Sequence, residues 1–331
     1  MTTRRRPNSR LLTALRPDSF TLMMLATVAL ASFAPARGAA VPLLDAVVKA
    51  SVMALFFLHG ARLAREAVLQ AIGHWRLQFL ILALTYLLFP AIALAAGPLG
   101  SWALEPALYL GFVFLCCLPS TVQTSIAYTS VGRGNVPAAA CAASASNLLG
   151  IVFTPLLTGL LLARQGTVTL GALGTIVVLL LLPFVAGQVA RPWLGPWVAR
   201  RRLLLTTVDR GAILLMIYSA FGKAVDAGIW QRVSAGDLVL VVLVSIVLLA
   251  AVVATAILAA RRLRFSREDE VAIVFCGSMK SLVTGMPMAN VLFPGAQAGL
   301  LVIPMIVFHQ VQLLSCGVLA RRYGTGAQGD A

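Results

Sequence analysis

The segment "CGSMKSLVTGMPMANV", Cys276 to Val291, sets one lysine among hydroxyls, glycines and a proline inside an otherwise apolar stretch. Lys280 is flanked by Ser278, Ser281 and Thr284, with Asn290 further along. Gly277, Gly285 and Pro287 oppose a regular helix, since proline lacks an N–H and clashes with the preceding turn. A second stretch, "CCLPSTVQTSIAYTS" from Cys116 to Ser130, repeats the theme: Pro119 is followed by Ser120, Thr121, Gln123, Thr124 and Ser125. These residue types suit the binding of ions or solutes. Hydroxyls, amides and freed carbonyls ligate, and an ammonium neutralises carbonyl-rich helix ends or attracts an anion. They do not suit bond-making, because the chain has no H-E-x-x-H, no G-x-S-x-G and no paired intramembrane aspartates. Asn147, after Ser144 and Ser146, is either a ligand or glue between helices. His309, near Gln310 and Gln312, is either a satisfied interior histidine or a proton carrier.

The elements that must position these residues are membrane spans. Of 331 residues, 60% are hydrophobic and only 11% charged, where soluble domains carry roughly 25% charged residues. Apolar runs of about 20 residues predict ten spans, at 19–35, 43–63, 77–98, 105–131, 135–163, 169–190, 208–230, 235–260, 268–293 and 296–320. The first, preceded by arginines and followed by "SFAPARGAA", imitates a signal peptide. A retained helix keeps the count even. The net charge of +15 does not point to nucleic acid, because the arginines fall in short loops and at span ends. With the N-terminus in the cytoplasm, that side holds most of them, including Arg62, Arg133, Arg210 and Arg261, and the other side only Arg37, Arg164 and Arg232. The positive-inside rule therefore puts both termini in the cytoplasm. Five cysteines within apolar runs read as free core residues.

All three lysines lie within spans. Lys49 and Lys223 are within helical reach of Asp45 and Asp226, which predicts local ion pairs. Lys280 has no such neighbour. A central charge costs at least ~3 kcal/mol on insertion, so it must face a protein interior or water and is a functional candidate.

Ten helices divide into two sets of five with opposite orientation. Spans four and nine then occupy equivalent places, and both are interrupted by proline beside a polar cluster, which points to a transporter binding site. Carbonyls freed there must be satisfied internally. The expected fold is an all-α membrane protein of ten transmembrane helices in two inverted five-helix repeats, helices four and nine broken and crossing. The expected units are a cytoplasmic Arg-rich segment 1–18, repeats 19–163 and 164–322, and a cytoplasmic tail 323–331. Glu268, Asp269 and Glu270 after Ser266 read as a capped helix start.

In "LPSTVQTSIAYTSVGRGNV" (118–136), "SASNLLGIVFTPLL" (144–157) and "FCGSMKSLVTGMPMANVLFP" (275–294) the chain resembles the bile acid:sodium symporter family. It is most similar to the divergent bacterial SBF-like branch, over nearly its whole length. The resemblance implies the same ten-helix inverted-repeat fold. In better-known members a Ser-Asn pair on helix four, hydroxyls on helix five, and a Glu and a Gln on helix nine hold sodium. The matching positions here are Thr124 and Ser125, Ala139 and Ala143, and, for the glutamate, Phe275. Oxygen ligands are thus removed where sodium needs them. No cofactor is expected, and sodium is the candidate ion that these replacements count against.

The expected function is a secondary transporter of an organic anion or similar small solute in a bacterial inner membrane, in contact with lipid. Lys280 would replace the bound ion, either exchanging a proton or staying a permanent internal cation. The alternative is a carrier-fold regulator of ion homeostasis without its own solute flux.

Overall fold

The computed structural model describes residues 19–62, 74–97, 104–163, 174, 177–293 and 297–326. The Arg-rich segment 1–18, Arg65, Arg164 and the end of the tail lie outside the described residues. Helices follow one another as α1 (Ser19–Phe33), α2 (Ala40–Arg62), α3 (Trp75–Ala95, with a π turn at Leu84–Leu88), α4 (Pro106–Cys117), α5 (Gln123–Val131) and α6 (Val136–Ala163). The chain continues as α7 (Leu182–Arg200, after a π turn at Val177–Leu181), α8 (Arg202–Asp226), α9 (Ala235–Arg262), α10 (Arg267–Ser278), α11 (Leu282–Leu292) and α12 (Gln297–Gly326). No strand occurs among the described residues.

Among the described residues eight helical spans are long and apolar enough to cross a membrane, α10 and α11 together forming one of them. Two shorter apolar helices, α1 with 15 residues and α4 with 12, accompany them. Spans four and nine are interrupted as expected, α4 giving way to α5 and α10 to α11. One boundary differs from expectation. The segment 191–200, read as a loop, continues α7 through Pro192 and Pro196. Four residues apart, the two prolines lie on one helix face and confine the lost bonds there.

Polar caps start several helices. Glu105 accepts from the N–H groups of Ala107 (2.7 Å) and Leu108 (3.1 Å) above Pro106. Ser234 and Asp237 form a complete capping box at α9. Ser266 caps Asp269 N at 3.1 Å, but the Asp269 carboxylate accepts from Asn135 Nδ2 at 2.8 Å instead of closing the box. Asn135 N also donates to Glu268 O (2.9 Å), so the α5–α6 link is tied to the start of α10.

The helices form two packed groups, α1, α2, α7 and α8 in one and α3–α6 with α9–α12 in the other, with α8 touching α11 and α12 across the boundary. Within the first group, α2 and α7 approach backbone to backbone because Gly60 sits over Phe184 O and Gly187 over Phe57 O. The lysine pairs also differ from expectation. Lys223 binds Asp45 of α2, and Asp226 meets Arg37 at 3.5 Å. The Asp45 carboxylate thus goes to the neighbouring helix α8, and Asp226 turns to the loop between α1 and α2. From Glu270 to Ala289 every residue but Val283 is buried, so span nine runs through the centre of the second group. All five cysteines are buried, and none forms a disulfide among the described residues.

Candidate functional site

In a regular α-helix the Thr85 carbonyl would accept from Phe89 N–H. Here the π turn sends Phe89 N–H to Leu84 O, and the next residue, Pro90, has no N–H to offer. Thr85 O is left without a helical donor. A second set of free carbonyls arises where α4 stops. Leu118 is extended, Pro119 donates nothing, and Ser120 N turns to Ser146 Oγ at 3.0 Å.

Every carbonyl from 116 to 120 nevertheless finds a donor. Cys116 O (3.0 Å) and Leu118 O (2.7 Å) accept from Lys280 Nζ. Cys117 O accepts from Thr154 Oγ1 (2.8 Å), Pro119 O from Ser281 N (2.9 Å) and Ser120 O from Asn147 Nδ2 (2.6 Å). Lys280 Nζ also donates to Thr85 O at 2.9 Å and lies 4.0 Å from the centre of the Phe89 ring. Three acceptors match the three N–H bonds of an ammonium; a neutral amine has only two. Lys280 thus joins α3, α4 and the break in span nine, with 1% of its surface exposed.

That second break lies at 279–281, where Met279 and Ser281 are extended. Gln312 grips it with both ends of its amide, accepting from Lys280 N (2.8 Å) and donating to Lys280 O (2.9 Å). The same nitrogen lies 3.0 Å from His309 Nδ1, which is therefore the acceptor. Gly277, Gly285 and Pro287, read from sequence as the break, sit within α10 and α11 on either side of it. The two glycines serve close packing: a Cβ would meet Leu84 Cδ1 at 2.7 Å from Gly277, and Leu118 Cδ1 at 2.6 Å from Gly285.

Between the two helix groups lies a cavity of about 320 Å³. Of the residues singled out in the sequence, Thr121, Gln123, Thr124, Asn147, Ser281, Thr284 and His309 line it. Ser120, Ser125, Ser278, Lys280 and Asn290 do not. Ser125 Oγ donates to Phe275 O (3.3 Å), Ser278 Oγ to Val274 O (2.6 Å) and Asn290 Nδ2 to Met286 O (3.0 Å).

The cavity receives the N-terminal ends of both half-helices, α5 at Thr121–Thr124 and α11 at Ser281–Thr284. Such ends carry orphan N–H groups and roughly half a positive charge each; at α11 Ser281 Oγ accepts from one of them, Thr284 N, at 3.3 Å. Val122 gives α5 no side-chain cap. Thr284 Oγ1 is buried without a partner among the described residues. The opposite group contributes His59, Arg62, Asp209 and Arg210, which sequence reading had assigned to topology or passed over. Arg62 pairs with Asp209, and Arg210 lies 5.2 Å from the Phe20 ring centre. One signal for them was available: Asp209 is a rare acid inside the run 208–230.

A family model, the SBF-like CPA transporter family, matches residues 18–325. The chain belongs to this family. It is 49% identical over 311 residues to "Putative symporter YfeH" of Escherichia coli (strain K12), covering 92% of each chain. It is 51% identical over 310 residues to "Uncharacterized protein PA2026" of Pseudomonas aeruginosa, covering 93% of each. A sodium/bile acid cotransporter 7 of Xenopus tropicalis is 26% identical over 325 residues, across 93% of this chain and 92% of that one. As a member of the SBF-like CPA transporter family with many apolar helices, the chain is an integral membrane protein. Of the positions that the resemblance matches to sodium ligands, three carry no side-chain oxygen. Ala139 and Ala143 offer buried methyl groups, and the Phe275 ring packs edge-on near Tyr128 (5.9 Å) and Tyr323 (6.3 Å). Sodium requires hard oxygen ligands, which these three side chains lack.

Proposed function

We propose that the protein is a secondary transporter of an organic anion, bound in the cavity between the N-termini of α5 and α11. The observation that carries this reading is the convergence of two half-helix N-termini on one cavity, whose lining includes Thr284 with a hydroxyl unpartnered among the described residues. Free N–H groups and aligned dipoles favour negative charge there. The solute occupies the space between the two helix groups. Thr121, Gln123, Thr124, Asn147, Ser281 and His309 supply the remaining polar contacts.

Lys280 takes the part of the coupling cation as a fixed internal charge. Its ammonium holds the carbonyls of the crossing, which leaves the helix N-termini to the solute. Transport without strict dependence on sodium follows. The remaining parts of the reading are ten membrane helices in two inverted repeats, both termini in the cytoplasm, and residence in the bacterial inner membrane. The Lys280-bridged breaks of spans four and nine and the asymmetric arginines support them.

A library of organic acids, screened for thermal stabilisation of the purified protein with and without sodium, identifies solutes for uptake assays in proteoliposomes. The expected result is uptake of a stabilising anion that persists in sodium-free buffer. Strict sodium dependence would remove Lys280 from its assigned part. Absence of flux for every stabilising acid would favour a carrier-fold regulator of ion homeostasis.

A further inference from the structure

The cavity has a second positive pole, away from the half-helices. Arg62 and Asp209 neutralise one another there. Arg210 is different. It lines the cavity, rests on the face of Phe20, and no carboxylate among the described residues forms an ion pair with it. Stacking on an aromatic face orients a guanidinium and leaves its N–H edges for an acceptor. Apolar side chains contribute to the lining as well, Phe56, Leu148, Ile151, Phe184 and Ile213 among them. Thus one solute space, lined partly by hydrocarbon, holds two positive poles on opposite helix groups.

We infer that the transported solute is a dianion with an apolar body, one anionic group held at the N-termini of α5 and α11 and the other by Arg210. The inference rests on the anion reading above and sharpens it. A monoanion satisfies one pole and leaves the other positive charge without a counter-charge in a low-dielectric cavity. A dianion satisfies both. Carboxylate, sulfonate and phosphate groups all meet the chemistry at Arg210, which offers planar paired donors.

Linear α,ω-dicarboxylates from hexanedioate to decanedioate are the probes, each compared with the monocarboxylate of the same length. Binding to the purified full-length protein is read from thermal shift at pH 7, where both carboxylates are ionised. At least one dicarboxylate should bind about tenfold or more tightly than its monocarboxylate partner, the scale of one charge-assisted contact. In Arg210→Gln this preference should vanish while monocarboxylate binding stays; in Arg210→Lys it should be partly retained. Equal binding of mono- and dicarboxylates by the unaltered protein overturns the inference without any variant, and so does a preference that survives Arg210→Gln. Monocarboxylate binding without that preference leaves the anion reading intact, whereas no binding by acids of either kind removes both.

Discussion

Lys280 and Thr284 sit four residues apart and carry opposite demands. The Lys280 ammonium has every donor engaged by a carbonyl that no helix can serve, whereas the Thr284 hydroxyl has no partner among the described residues. Lys280→Met would strand Thr85 O, Cys116 O and Leu118 O together. Each buried unsatisfied group costs about 1–3 kcal/mol, so the variant should unfold at a clearly lower temperature in detergent, besides losing transport. Thr284→Val should do the reverse, leaving the unfolding temperature unchanged while weakening anion binding several-fold in the same thermal-shift assay. Equal stability of Lys280→Met and the unaltered protein would count against the carbonyl clamp. That Lys280 mattered was legible in the sequence, because a central charge is costly. Its partners were not, because backbone carbonyls leave no mark in the residue types.

At the scale of the helices, the breaks exist because α3, α4 and span nine are held at close range. Gly277 allows α10 to lie against Leu84, beside the π turn that frees Thr85 O. Gly277→Val should push α10 from α3 and cost about 1–3 kcal/mol, the usual scale of overpacking. A drop in unfolding temperature with no change in membrane insertion is the expected observation; an unaltered unfolding temperature would contradict the packing described. The interruption in span nine was legible from its glycines and proline, yet it falls at 279–281, between them. Composition marks a helix as breakable, and the place where it breaks is chosen by neighbours, here Gln312 and Pro119 O. The extension of α7 past Pro192 and Pro196 was hidden for the converse reason, since loop-like residues there continue a helix.

For the whole molecule, the decisive feature is a cavity walled by both helix groups, with half-helix ends on one side and Arg62, Asp209 and Arg210 on the other. These charges stood in the sequence as signs of orientation, and their shared space is a property of the assembled groups alone. Orientation itself is open to a direct check. A cysteine in place of the exposed Arg133, next to Gly132 in the turn between α5 and α6, should react with a membrane-impermeant thiol reagent from the cytoplasmic side. Labelling from outside the cell would overturn the arrangement with both termini inside.

The amino-acid sequence by itself determined that the chain lives in a membrane, where most spans start and stop, that two of them are interrupted, and that Lys280 must be sheltered. Hydrocarbon thickness and the cost of burying charge act locally, so residue types are enough to reveal them. Only the tertiary structure decided what Lys280 holds, since its three acceptors lie 195, 164 and 162 residues away in the chain. It also decided which polar residues face the cavity and which bond inward. A serine or arginine has the same composition in either role, and the difference arises only when distant helices pack and leave space between them.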